Sequence, residues 1–82
     1  LLEMARTALG RGQGGAAIEA LEKQAKQFPH GRLVEEREVL LVQALAQAGR
    51  VKEARERGDR FRQRFPRSLL LPAVEAVLKS AP

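Results

Sequence analysis

The fold is decided by reading Gly49–Pro66, GRVKEARERGDRFRQRFP, against Gly12–Pro29, GQGGAAIEALEKQAKQFP. A shift of 37 residues lays one on the other, placing Gly12 on Gly49, Ala17 on Ala54, Phe28 on Phe65 and Pro29 on Pro66. The match runs outward on both sides: Ala8 meets Leu45, Leu33 meets Leu70, Glu38 meets Glu75 and Leu41 meets Leu78. Turns fall on turns, and small residues on small ones. A helical unit recurring at such a spacing marks an array in which no unit buries its apolar face alone.

The units are helical. Ala and Leu supply 25 of the 82 residues, Val and Ile seven, Tyr and Trp none, a balance that favours helix over sheet. Gly10–Gly15, Phe28-Pro29-His30-Gly31, Gly49 and Phe65-Pro66-Arg67-Ser68 punctuate the chain. Between these breaks the spacing predicts helices near 2–10, 15–28, 33–48, 51–65 and 69–80. Ile18, Leu21, Ala25 and Phe28 make one stripe, and Val51, Ala54, Gly58, Phe61 and Phe65 another. The run Val39-Leu40-Leu41-Val42 covers more than one side, so the third helix should pack between two neighbours. Phe28, Leu41, Leu45, Phe61 and Phe65 are the expected core. Ser68 should cap the last helix, with Pro72 in its first turn.

At 82 residues and 9.1 kDa the chain makes one domain, 1–82, with a small core. It divides into units of roughly 1–31 and 32–68 and a terminal helix at 69–80. It opens on Leu1 and reads as a piece of a longer protein. No apolar run reaches the length of a membrane span. With no cysteine there is no disulfide, thiolate metal site or cysteine nucleophile.

On these residues the chain resembles the tetratricopeptide family. Gly12 stands at the turn between paired helices, Ala17 at the small position of the second helix, Leu21 at the large one and Pro29 at the terminal proline. Gly49, Ala54 and Pro66 match in the same order, while Gly58 stands where a large residue belongs. The resemblance implies an all-α, right-handed solenoid of antiparallel helix pairs, about five helices in all. It also implies a non-catalytic module whose concave face holds a protein or peptide partner. Carried onto this sequence, that face comprises Leu2, Arg6, Glu36, Val39, Gln43, Gln47 and Ala76. The Phe65–Ser68 ending is similar to that of tetratricopeptide-like modules in bacterial cell-envelope proteins, which implies a bacterial, envelope-associated protein, while the residues themselves leave cytoplasm and periplasm both open.

Little in the chain suits catalysis. It has one His (His30), one Asp (Asp59), two Ser (Ser68, Ser80) and one Thr (Thr7). No second imidazole shares a metal with His30, and no base partners Ser68. Gly10–Gly15 lacks the preceding strand and the Gly-Lys-Ser/Thr ending of a phosphate loop. The expected reading is no enzyme, no cofactor and no metal.

Charge is informative. Residues 50–67 carry eight basic and three acidic side chains, a surplus equal to the whole net charge of +5. Arg57, Arg60 and Arg64 share one stripe, opposite Phe61 and Phe65. One reading is a solvated outer helix, with Glu53–Arg57 and Glu56–Arg60 as i,i+4 pairs and the stripe pointing to solvent. The other is a docking surface for an anionic surface or a nucleic acid. No aromatic or Asn/Gln-rich face accompanies the arginines to read bases.

Overall fold

The computed structural model describes residues 2–31 and 33–80. Five helices follow in order: α1 (Glu3–Gly10), α2 (Gly14–Gln27), α3 (Val34–Gln47), α4 (Val51–Arg64) and α5 (Leu71–Ser80). There is no strand among the described residues. Each predicted helix is present within two residues of its expected ends. The largest difference is at α5, which starts at Leu71 rather than Leu69. Residues 68–70 form a turn instead, in which the Leu70 N–H donates to Ser68 Oγ at 3.0 Å. Pro72 is then the second helical residue, where its missing N–H costs nothing.

The turns after α1 and α3 are built alike. Among the described residues Gly12 and Gly49 are the two with positive φ, at 72° and 82°. A side chain is strained there, so glycine is required. The Gly12 N–H donates to Leu9 O and that of Gly49 to Ala46 O, both at 3.1 Å. One residue on, Gln13 donates to Ala8 O and Arg50 to Leu45 O, both at 2.8 Å. The far ends of α2 and α4 also agree, since Phe28 donates to Gln24 O and Phe65 to Phe61 O.

Named contacts fix the helix directions. Gly14 opens α2 beside Ala44 and Ala48 at the end of α3, while Gln24 near the end of α2 meets Arg37 near the start of α3. These two helices are antiparallel. By the same logic Gly58 against Leu78, and Arg62 towards Glu75, make α4 and α5 antiparallel. Arg6 meets Glu36 and Leu9 meets Gln47, so α1 runs parallel to α3. Helix α3 packs against all four others, as its apolar breadth predicts.

Leu41, Leu45 and Phe61 are buried as expected, among Leu21, Val42 and Val74, and Phe65 is half-buried. Phe28 is not core; 46% of it is exposed. The inward position at that end of α2 belongs to Gln24, which is buried and accepts a hydrogen bond from Arg37. In α4 the same position is Phe61, whose ring meets Phe65 at 5.1 Å. With a polar pair where α4 has an aromatic one, Phe28 has no ring to pack on as Phe65 has in Phe61. Gly58 is also explained. A Cβ there would lie 2.6 Å from Leu78 Cδ1, so the absent side chain is the space that Leu78 fills.

Candidate functional site

Two surfaces carry the candidate residues. The first is a depression of about 220 Å³ lined by Arg6, Glu36, Val39, Leu40, Gln43 and Leu70. Four of the seven expected groove residues meet there: Arg6, Glu36, Val39 and Gln43. Val39 is buried, and an ion pair of 2.8 Å joins Arg6 on α1 to Glu36 on α3. Both partners are about half exposed, so the pair orients more than it stabilises.

The other three expected residues do different things. Leu2 is only 2% exposed and belongs to the core, so no partner can touch it. Gln47 donates from Nε2 to Leu9 O at 3.0 Å, tying the ends of α1 and α3 together. Ala76 is exposed on α5 outside the depression, and its carbonyl accepts from Ser80 Oγ. Leu40 and Leu70 complete the lining. Leu40 lay within the apolar run already noted; Leu70 sits in a turn, where helical spacing gave no signal.

The second surface is a cleft of about 320 Å³ between α2, α3 and α4. Its walls are Ala25, Arg37, Glu38, Arg57, Arg60, Phe61, Arg64 and Phe65. The expected stripe is therefore brought together, but it is not uniformly solvated. Arg57 donates to Glu38 Oε1 at 3.0 Å, and the pair is 36% and 19% exposed. Glu38 on α3, rather than Glu53, is its partner. Glu53 is instead taken by Arg50, whose Nε and Nη2 reach its two oxygens at 2.9 and 2.7 Å. That bidentate contact holds the Glu53 carboxyl below its ordinary range and raises Arg50. Arg62 pairs with Asp59 at 3.0 Å. Arg64 lies over the Phe65 ring at 5.0 Å.

Arg37 was not foreseen. It is 6% exposed, and its Nη1 donates to Gln24 Oε1 at 2.9 Å and to Phe28 O at 2.8 Å. Its Nε is buried without an acceptor. Among the described residues no carboxylate lies within 4.0 Å of Arg37, Arg60 or Arg64. The available signal was the 37-residue shift, which lays Arg37 on Val74, a fully buried position. A polar residue inside an apolar stripe is the kind of exception that marks a site.

His30 is exposed, beside an apolar pocket of about 290 Å³ that Phe28, Leu33 and Val34 also line. Among the described residues no three His, Asp or Glu side chains are placed to hold a metal. No described helix is long and apolar enough to cross a membrane. Comparison with family models, with curated proteins and with solved structures gives no match to this chain.

Proposed function

We propose that the chain is a non-catalytic interaction module, a tetratricopeptide-like array of helix pairs that holds a segment of a protein partner against α1 and α3. One observation carries this reading: Arg6, Glu36, Val39 and Gln43, drawn from two helices, line a single depression together with Leu40 and Leu70. An apolar floor with a few polar groups at the rim suits a side chain of an extended peptide. The like-built turns at Gly12 and Gly49 support the repeat reading, as does burial at matched positions such as Ala17 and Ala54.

The test uses peptides selected from a display library on the immobilised domain and measured by calorimetry. Gln43→Arg changes a half-exposed lining residue without touching the core. Selected peptides should lose binding to this variant and keep it for Lys52→Gln, which lies outside the depression. Peptides that bind both variants equally would refute the groove.

A second reading places a nucleic acid on residues 50–67, and the surplus of positive charge favours it. The rings available are poorly disposed for base stacking. Phe61 is buried and Phe65 is covered by Arg64. Binding of this kind would be charge-driven and would weaken steeply with salt.

A further inference from the structure

Arg37 is a buried cation whose acceptors are all neutral. A guanidinium removed from water is stabilised by hydrogen bonds and above all by an opposite charge. Here Gln24 and Phe28 O satisfy one nitrogen, and Nε has no acceptor. Of the other arginines lining the same cleft of about 320 Å³, Arg57 has a carboxylate partner, and Arg60 and Arg64 have none within 4.0 Å among the described residues. Glu38 also lines it, and Arg57 holds Glu38 at 3.0 Å, offsetting the one negative charge on the wall. Four guanidiniums and one carboxylate leave the lining at +3.

We propose that this cleft binds the phosphoryl group of a small soluble molecule, with Arg37 at its floor and Arg60 and Arg64 at its mouth. The planar fork of arginine matches a tetrahedral oxyanion through paired hydrogen bonds, and a phosphoryl group carries nearly two charges at neutral pH. The volume is at the lower end for a small-molecule site, enough for the phosphoryl group and a short part of what carries it. A small ligand is favoured over a membrane headgroup because the key cation is recessed; Arg37 is 94% buried and out of reach of a flat surface. The site is separate from the groove residues Arg6, Val39 and Gln43, and either can fail without the other.

The experiment is a titration of the intact chain with inorganic phosphate, and in parallel with phosphoserine, against chloride at matched ionic strength. Arginine side-chain N–H resonances and the thermal midpoint are the readouts. The Arg37 Nε–H signal should shift along a saturable curve, and the midpoint should rise with phosphate as it does for any ligand of the folded state. Arg60 and Arg64 are exposed, so R60Q/R64Q should keep the fold and weaken phosphate binding by about tenfold or more. Arg55→Gln, a charge on the same helix outside the cleft, should leave the affinity unchanged. Two outcomes would overturn the site: no saturable shift at Arg37 with either probe, or equal weakening by R55Q. Binding to phosphatidylglycerol vesicles that R60Q/R64Q abolishes, with no response to either small probe, would reassign the cleft to a membrane.

Discussion

Adjacent glycines in α2 show how one missing Cβ can serve opposite ends. At Gly14 an added Cβ would stand 2.8 Å from Ala44 O and 2.9 Å from Ala48 N, both backbone atoms that cannot swing aside. At Gly15 it would meet nothing within 4 Å. Gly14→Ala should therefore cost about 1–3 kcal/mol by forcing α2 off α3, while Gly15→Ala should stabilise by up to about 1 kcal/mol through helix propensity. Urea midpoints of the two variants check the sign. Equal effects would mean that α2 does not enter against α3 as described. At this scale the sequence was least legible. Periodicity marks which positions face inward, but it cannot say which polar group will be accepted there. Gln24 and Arg37 share one hydrogen bond across two helices, which leaves Arg37 Nε without an acceptor, and the polar pair takes the inward position while Phe28 lies half exposed. No property of either residue alone announces it.

Helices are where periodicity worked. Five segments bounded by Gly and Pro became five helices, and the one with apolar residues on several sides became the one that touches all the rest. The reason is physical: a stripe must be covered, and a broad stripe needs two covers. What the spacing could not supply was the partner of each charged side chain. Glu53 and Arg57 have the right i,i+4 separation, yet Glu53 pairs with Arg50 and Arg57 with Glu38 on the neighbouring helix. The candidate groove came from the resemblance rather than from periodicity, and of its seven residues Arg6, Glu36, Val39 and Gln43 line one depression whereas Leu2, Gln47 and Ala76 do not. The cleft was half legible, its arginine stripe visible and its floor hidden. Because α3 is the common wall, a cavity in it should be felt throughout. Leu41 is 5% exposed, and Leu41→Ala should cost about 2–5 kcal/mol. A domain of this size holds on the order of 5 kcal/mol in total, so circular dichroism should show substantial unfolding at ambient temperature. A thermal midpoint within a degree or two of the parent would show that Leu41 is not structural.

Over the whole molecule, the net charge of +5 is the surplus of residues 50–67, and the structure leaves part of it unbalanced. Arg50, Arg57 and Arg62 have carboxylate partners, whereas Arg60 and Arg64 have none among the described residues. Arg60 and Arg64 are four apart on one helix face, the separation at which like charges repel by about 0.2–0.5 kcal/mol. Arg60→Gln removes that repulsion and leaves the Arg64–Phe65 contact in place. At low ionic strength it should raise the thermal midpoint by about 1–4 °C for a domain of this size. Salt screens exposed charges over roughly 10 Å at 0.1 M, so the advantage should shrink as sodium chloride is added. A midpoint that falls in the variant at low salt would mean that Arg60 has a stabilising partner in the folded chain. In that case the cleft would not be short of an anion. A midpoint that rises would show the chain holding two unpaired cations beside a buried third at a cost to its own stability, which is the condition under which an anionic ligand gains most from binding there.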